Sequence, residues 1–381
     1  MDTENVLFTE NAEAQLDDLL WRICEEVQLP PTRYEQAVAR YEAVSEWLER
    51  EGSALRDLSP SIYPQGSMRI GTTVKPLGRE EHDLDFVCEF QARSNSFKSP
   101  HQLIASLALR IRQHETYASI VELKNRCVRL NYANEFHMDI LPAYRDPLAG
   151  ANCLVVPDRR SACWKPSNPK GYAKWFEQRC DLATASKVTR LLARAEPIPL
   201  QQGLNEKETL KKAVQLLKRW RDIRFQHKPD LAPISMVLTT LAADRYTGEI
   251  SLAKALTGIL KGIFSQIDTC RPRIYVLNPG NPLEDLSERW DEEKKYRAFV
   301  EGITELDDAW ETIVRTRSVP RLSQLLEDLF GAPTQVALAK QARRLQELRE
   351  NSNLRIGAAG LISNSLTAGV HVRKNTFHGE K

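Results

Sequence analysis

Two carboxylates on one apolar run offer the clearest chemistry in this chain. Asp83 and Asp85 alternate within HDLDFVCEF, the last part of the informative stretch 63–90. Alternate side chains of a β-strand share a face, so we expect both carboxylates to project together, about 6–7 Å apart along the strand. An isolated strand gains nothing from two negative charges on one face. Mg²⁺ prefers oxygen ligands and commonly shares them with substrate phosphates, so the pair predicts a divalent-metal site.

A Gly-Ser pair precedes these acids. Gly66 and Ser67 stand before a helix-like segment, and Asp83 follows Ser67 by sixteen residues. Small residues let the backbone approach an anion, and a helix N-terminus directs amide hydrogens at it. Taken alone, a Gly-Ser pair is usually an ordinary loop, and an Asp-x-Asp pair is usually an exposed strand edge. Together they predict a nucleotide-handling site in which one half holds phosphate and the other holds metal.

A third carboxylate lies on a later β-rich run. The runs are RCVRLNY (126–132) and FHMDILPAY (136–144), separated by Ala-Asn-Glu. This layout predicts a hairpin. Asp139 falls in the middle of its run between two apolar residues, where an unpaired carboxylate is costly to bury. A structural aspartate is more comfortable in a turn, as at Asp146, whereas a cation shared with Asp83 and Asp85 accounts for Asp139.

The order of these motifs resembles that of a known superfamily. Gly66-Ser67, then Asp83-x-Asp85, then a lone Asp139 on a later strand is the pattern of the polymerase β-like nucleotidyltransferases. More narrowly, the chain is similar to the bacterial cGAS/DncV-like nucleotidyltransferases (CD-NTases). That similarity rests on chain length and on the segments GSMRIGTTVKP, HDLDFVCEF, LNPGNPLEDLSERW and a helix ending in LKRWRD. It runs from about residue 30 to about residue 315.

The resemblance implies a fold and a reaction. The fold is α+β, a bilobal polymerase β-like nucleotidyltransferase core with a helical second lobe and a long N-terminal spine helix. The reaction is attack of a ribose hydroxyl on an α-phosphate with loss of pyrophosphate, assisted by two Mg²⁺ ions, with Mn²⁺ as an alternative. Asp83 and Asp85 would hold both ions, and Asp139 would complete the site that activates the hydroxyl. Ser67 and the amide of Gly66 would hold the β- and γ-phosphates.

The same resemblance identifies two residues of the predicted helical lobe as triphosphate-binding candidates. Lys218, in LKRW, and Ser235, in PISMVLTTL, match the positions that grip the triphosphate. The ordinary interpretation of Lys211 and Lys218, seven residues apart, is a solvated helix face. The expected substrates are nucleoside triphosphates (ATP, and GTP, UTP or CTP). The product would be a cyclic di- or trinucleotide that signals in antiphage defence, with regulatory or effector proteins of the same operon as partners.

Composition limits the alternatives. The chain has 381 residues, of which 42% are hydrophobic, a formal net charge of +2, and no run of eighteen apolar residues. Its N-terminus lacks the basic-then-apolar layout of a signal peptide, and its seven cysteines form no C-x-x-C pair. We therefore expect a cytoplasmic protein without zinc or membrane association. The near-neutral charge also predicts no obligatory nucleic acid.

The chain divides into three predicted regions. They are a catalytic core with N-terminal helices (1–200), a helical lobe (201–351) and a flexible C-terminal tail (352–381). A helix at 32–51 carries an apolar stripe, which predicts packing against both lobes. The predicted helices are 11–27, 32–51, 100–114, 206–224, 283–317 and 321–351. The segment 146–172 is rich in Pro, Gly, Asn and Ser, so it is predicted to be a loop, either a plain connection or one that reaches the cleft mouth with Trp164, Lys165, Ser167 and Asn168.

The same three carboxylates are also compatible with other nucleotidyl-transfer reactions. Terminal nucleotide addition to RNA is one alternative, and nucleotidylation of a protein or a small molecule is another. The scattered basic residues Arg159, Arg160, Lys170 and Lys174 would support RNA binding if folding brought them together. A nucleotide sensor without activity is disfavoured by the intact acid triad.

Overall fold

The structure is a computed structural model of the chain. It describes residues 3–50, 53, 55–78, 82–91, 97, 99–133, 135–146, 149–183, 207–270, 272–350, 355–356, 362–363 and 370–371. The helices are α1 (Thr3–Val27), α2 (Pro31–Glu49), α3 (Gly66–Ile70), α4 (Pro100–Arg112), α5 (Glu115–Ala118), α6 (Pro169–Cys180), α7 (Thr209–Arg224), α8 (Ser235–Arg245), α9 (Leu252–Thr269), α10 (Glu293–Arg315), α11 (Val319–Phe330) and α12 (Pro333–Glu350). The strands are β1 (Ser61–Pro64), β2 (His82–Phe90), β3 (Val121–Leu123), β4 (Val128–Tyr132), β5 (Phe136–Arg145), β6 (Leu154–Asp158), β7 (Cys163–Ser167), β8 (Leu277–Asn278), β9 (Asn281–Asp285), β10 (Arg355–Ile356), β11 (Ile362–Ser363) and β12 (Val370–His371).

A seven-stranded mixed sheet organises the N-terminal half. Its order is β1-β2-β5-β4-β3, and β6 joins the end of β5 and carries β7. The two central strands, β2 and β5, are parallel, while β4 and β5 form the predicted antiparallel hairpin. Parallel neighbours need a crossover connection, and α4 lies within it. Ser99 caps α4 by accepting a hydrogen bond of 3.2 Å from the amide of Gln102, and Pro100 occupies the first helical position.

Two large apolar clusters form the core. One joins the inner face of the sheet to α2 and α4. The other joins α1, α6 and helices α7 to α12. The predicted stripe of α2 is buried, but its buried apolar residues all belong to the sheet cluster, and it is α1 that packs into the helical cluster. The break at Pro30-Pro31 lets the two N-terminal helices serve different clusters.

Two segments differ from the sequence prediction. Segment 146–172, predicted to be a loop, contains β6 and β7 and the start of α6. The predicted helix at 283–317 begins only at Glu293, because β9 and a short 3-10 turn at Glu288–Asp291 precede it. In both segments the prediction missed short strands, which pair with each other as β6–β7 and β8–β9. Their sequences lack the alternation of apolar and polar residues that marks a half-buried strand.

The helix predicted at 11–27 begins at Thr3, and the one predicted at 321–351 is two helices, α11 and α12, separated at Gly331, whose φ is +72°. The sequence also predicts Asn205 as the N-cap of the helix at 206–224; this residue lies outside the described residues, and α7 begins at Thr209. Most of the predicted tail also lies outside them, but its three two-residue strands form a small sheet of order β11-β10-β12. Among the described residues, no helix combines the length and apolarity that a membrane crossing requires.

Candidate active site

The three acids come from the two central strands. In the parallel pair, Asp85 lies opposite Asp139 and Asp83 lies opposite His137. Neighbouring strands are about 4.8 Å apart, so the register places Asp139 directly beside Asp85. The predicted alternation therefore brings all three carboxylates to one face of the sheet. Asp83 is the most exposed of them, with 57% of its side chain accessible.

Gly66 packs against this acid face. Its φ is +56°, in the left-handed region, and a Cβ at this position would lie 2.9 Å from Oδ2 of Asp85. The preceding amide, that of Gln65, donates a hydrogen bond of 2.9 Å to the backbone carbonyl of Asp85. Ser67 follows as the second residue of α3, half-buried at the same cleft. Glycine is required here both by the backbone angle and by the carboxylate beside it.

Arg129 binds two of the three acids. It lies on β4, in register with Asp139 on β5. Its Nε and Nη2 donate to the two carboxylate oxygens of Asp139, each at 2.7 Å, and Nη2 also donates to Oδ1 of Asp83 at 3.1 Å. Arg129 was not singled out in the sequence. The predicted hairpin could have identified it. Antiparallel pairing of 126–132 with 136–144 places position 129 opposite position 139.

The pKa values of the acids show their mutual repulsion. Burial, together with the charges of Asp139 and Asp83, raises the pKa of Asp85 to about 7, while Lys218 and Arg129 oppose that rise. Desolvation in the cleft also raises the pKa of Asp83 against the pull of Arg129. Hard oxygen donors that repel one another are suited to a divalent cation. In the part of the chain that the structure describes, however, no three Asp, Glu, His or Cys side chains are already arranged to hold a metal ion. At the acids, a guanidinium joins two of them instead.

Lys218 reaches from the helical cluster to Thr72, which follows α3. It lies on α7, is buried, and its Nζ donates to the backbone carbonyl of Thr72 at 3.1 Å and to its hydroxyl at 3.0 Å. Burial lowers the pKa of Lys218 to about 8, and the charge of Arg221 adds to that shift. The partners of its ammonium in the described structure are thus neutral oxygens at the edge of the cleft. An anion entering the cleft would supply the missing negative charge.

Ser235 is the first residue of α8, and it also faces the cleft. Its hydroxyl accepts a short hydrogen bond from Nη1 of Arg221. Arg221 in turn lies 3.4 Å from a carboxylate oxygen of Asp222. Ser235 is therefore part of a charged group on α7 and α8, in which Arg221 is the residue that offers positive charge.

One cleft collects most of the predicted residues. Its volume is about 680 Å³, and Gly66, Ser67, Asp83, Asp85, Lys218 and Ser235 all line it. Asp139 is absent from the lining, since Arg129 covers its carboxylate. Strand residues of the sheet form one wall and residues of α7 and α8 form the other. The cleft thus lies between the two apolar clusters.

A second polar group lines the same cleft. Its members are Arg126, Ser167, Glu284 and Arg289. Glu284 on β9 accepts hydrogen bonds from the Ser167 hydroxyl at 3.2 Å and from the Asn278 amide at 2.6 Å. Arg126 lies 2.9 Å from Asp158 and 2.5 Å from Glu288, which ties the sheet to the turn after β9.

The residues predicted at the cleft mouth have separate roles. Ser167 lines the cleft. Trp164 packs edge-on against Tyr144 with ring centroids 4.9 Å apart, and Lys165 pairs with Glu288 at 3.2 Å. Asn168 caps α6 by accepting from the amide of Gly171 at 2.8 Å. Of the four, only Ser167 lines the cleft.

Comparisons with known proteins agree with this geometry. Residues 15–180 match the family model described as a Second Messenger Oligonucleotide or Dinucleotide Synthetase (SMODS) domain. A c-di-GMP synthase of Roseivirga ehrenbergii is 33% identical over 381 residues, covering 98% of this chain and 100% of the relative. The cyclic dinucleotide synthase CdnG of Bradyrhizobium diazoefficiens is 30% identical over 302 residues, covering 73% of this chain and 70% of the relative.

A solved structure agrees as well. CdnG of Bradyrhizobium diazoefficiens in complex with GTP matches with a TM-score of 0.69 at 27% identity, over 86% of this chain and 99% of that chain. The sheet, the acid face and the full-length similarity lead to one conclusion. The chain belongs to the bacterial CD-NTases, polymerase β-like nucleotidyltransferases that synthesise cyclic oligonucleotides.

Proposed function

We propose that this protein joins two molecules of GTP into cyclic di-GMP. Each of the two bonds forms when a ribose hydroxyl attacks an α-phosphate, and each releases one pyrophosphate. The observation that carries this choice is the end-to-end similarity to a c-di-GMP synthase. The GTP complex of the structurally similar CdnG supports the same nucleotide.

The acid face is proposed as the catalytic centre. Asp83, Asp85 and Asp139 would hold Mg²⁺, two ions in our proposal, with Mn²⁺ as an alternative. A bound divalent ion supplies positive charge to the attacking and leaving oxygens. The carboxylates fit this role because they offer hard oxygens on one face and repel one another; burial, together with the charges of Asp139 and Asp83, raises the pKa of Asp85.

The phosphate-binding residues are proposed from both walls of the cleft. Gly66 leaves room for a close approach to the backbone, and Ser67 offers a hydroxyl. Lys218 would neutralise charge on the leaving pyrophosphate, and Ser235 would bind the triphosphate together with its partner Arg221. A triphosphate between these groups would bring the α-phosphate towards the acids.

Guanine recognition is proposed for the second polar group. The Watson–Crick edge of guanine offers N–H donors, and O6 and N7 are acceptors that suit an arginine. Glu284 provides a carboxylate in the cleft, and Arg126 and Arg289 provide guanidinium groups. Adenine has neither the N1–H nor the 2-amino group with which guanine can donate to a carboxylate. This combination of side chains therefore favours guanine over adenine.

Glu284→Gln tests the guanine assignment. The change removes the negative charge but keeps the size of the side chain. We expect the preference for GTP over ATP to fall by about tenfold or more, because a good bidentate base contact contributes about 1–3 kcal/mol of discrimination. Competition between labelled GTP and unlabelled ATP measures it, with Glu293→Gln, outside the cleft lining, as the control. An unchanged preference would remove Glu284 from base selection.

The biological setting is part of the proposal. We propose a cytoplasmic enzyme whose product is a second messenger in bacterial antiphage defence, regulated by or acting on other proteins of that system. We also propose the division into a catalytic core (1–200), a helical lobe (201–351) and a C-terminal tail (352–381). The near-neutral net charge of +2 supports free nucleotides as substrates.

Product analysis tests the proposed function. Purified protein is incubated with Mg²⁺ and each nucleoside triphosphate, alone and in pairs, and the reaction is then treated with phosphatase. We expect GTP alone to give a phosphatase-resistant product that co-migrates with a cyclic di-GMP standard. Mixed-base rings in preference to this product would contradict the choice of GTP. Nucleotides recovered only on the end of an added RNA would contradict ring formation altogether.

A further inference from the structure

Arg129 occupies the space between two acids that a shared cation would join. Its three hydrogen bonds, at 2.7, 2.7 and 3.1 Å, connect Asp139 on β5 with Asp83 on β2. A guanidinium remains protonated at all accessible pH values and matches a carboxylate with two parallel bonds. The side chain is only 19% exposed, so the contact is well shielded from solvent.

The two halves of this contact are unequal. Asp139 is 15% exposed and uses both oxygens in a paired geometry, whereas Asp83 is 57% exposed and offers one oxygen at the longer distance. Each carboxylate oxygen can accept more than one bond, so Asp139 can keep Arg129 and still present a lone pair. Asp83 is free to rotate towards solvent. The bond to Asp83 is therefore the one that opens first.

A divalent ion and this guanidinium compete directly. An ion shared by Asp83 and Asp139 would meet the positive charge of Arg129 at that point, and one that used Oδ1 of Asp83 would have to displace the Arg129–Asp83 bond. A triphosphate entering the cleft would bring the negative charge that offsets this repulsion.

We propose that Arg129 is a positioning residue with two functions. It fixes Asp139 beside Asp85, and its charge and its bond to Asp83 weaken the binding of metal to the acid cluster until Asp83 is released. Metal binding is therefore favoured when a nucleotide brings negative charge into the cleft. This inference rests on the metal assignment in the proposed function, but not on the identity of the product.

Mn²⁺ binding without nucleotide tests the proposal. Mn²⁺ is followed by electron paramagnetic resonance in the wild type and in Arg129→Gln, which removes the charge but keeps an amide donor. We expect the affinity to rise by about tenfold or more, the scale of one lost charge-assisted hydrogen bond. Turnover with saturating Mg²⁺ and GTP should fall at the same time, because Asp139 is no longer held.

Two further variants separate this effect from its alternatives. Lys124→Gln removes the same charge from a residue that pairs with Glu122 at 2.8 Å and contributes to the field at Asp83. It should change Mn²⁺ affinity by less than about threefold, since exposed charges are strongly screened. Arg129→Lys keeps the charge but not the paired geometry, so Mn²⁺ affinity should stay near that of the wild type while turnover falls.

The contrary results are equally distinct. Weaker or unchanged Mn²⁺ binding in Arg129→Gln would overturn the proposal, since a merely structural arginine gives that outcome. If Arg129→Gln does not fold, Arg129→Lys with full turnover would overturn the positioning function. Because the binding assay contains no nucleotide, a failure of cyclic di-GMP synthesis would not alter its result.

Discussion

At the scale of single residues, the proposed function rests on carboxylates whose mutual repulsion destabilises the fold. Asp85 lies between two other acids, and its pKa is raised to about 7 by burial and by their charges. A bound cation or a proton relieves such repulsion, and Arg129 already offsets part of it at Asp139 and Asp83. The sequence revealed these acids because strand alternation is a local property. Arg129 was missed because its role depends on which residue lies across the hairpin.

Substituting the acids tests this account. Asp85→Asn and Asp83→Asn should each lower turnover by about 10²–10³-fold or more, since they remove charge that the transition state needs. Asp85→Asn should not lower the melting temperature, because it removes a repulsion. Product formation and thermal melting measure the two effects, with Glu122→Gln, an exposed acid outside the triad, as the control. Near-native turnover in either variant would refute the metal-site assignment.

Lys218 gives a pH dependence with a definite sign. Its pKa is about 8 in the nucleotide-free protein, mainly because of burial, with Arg221 lowering it further and Asp222 and Asp85 opposing. Below that pH the ammonium is charged and its attraction for phosphate is fully present; above it, binding must take up a proton. The affinity for a non-hydrolysable GTP analogue should therefore fall by up to about tenfold per pH unit between about pH 8 and about pH 9.5.

Lys218→Met provides the comparison for that measurement. Its affinity should be weaker at neutral pH and nearly independent of pH across the same window. Fluorescence titration at constant Mg²⁺ detects both features. If the wild type showed a flat profile, or if Lys218→Met retained full affinity, the phosphate role would pass to another cation of the cleft such as Arg221.

At the scale of elements, the site is built where α3 meets β2. The turn into α3 must adopt a positive φ at Gly66 so that the backbone fits against Asp85. The long helices and the β4–β5 hairpin were predictable because their periodicity and turn residues are local. The pairs β6–β7 and β8–β9 were not, although each is a local hairpin, because these strands are short, three of the four contain proline, and they lack the alternation of a half-buried strand. Part of the second polar group of the cleft was therefore missed, since Glu284 was assigned to a helix.

Gly66 and Gly78 offer a matched test of the α3 turn. Both have positive φ, +56° and +60°, but an added Cβ meets Asp85 at 2.9 Å only at Gly66, whereas nothing lies within 4 Å at Gly78. Each alanine substitution should cost about 1–2 kcal/mol of stability. Only Gly66→Ala should also lower turnover, by about 10²-fold, as expected for a displaced catalytic group. Equal turnover in the two variants would show that the contact with Asp85 is unimportant.

At the scale of the whole molecule, the cleft depends on two clusters that meet across it. The sheet cluster contributes the acids, and the helical cluster contributes Lys218 and Ser235. The fold class could be predicted from the order of the motifs. The packing of α1 into the helical cluster could not, because an apolar stripe shows that a helix is buried but not which element it packs against. The cleft of about 680 Å³ and the net charge of +2 are consistent with small anionic substrates rather than a long polynucleotide.

The central claim is that the chain closes a ring from free nucleotides, and pyrophosphate stoichiometry tests it most directly. Nuclease-treated protein is supplied with GTP and Mg²⁺ alone, and pyrophosphate release is compared with GMP incorporated into product. Ring closure consumes both triphosphates, so the account predicts one pyrophosphate for each GMP incorporated and no product from Asp85→Asn. One pyrophosphate for every two GMP, the ratio of a linear dinucleotide that keeps its 5′-triphosphate, would contradict it.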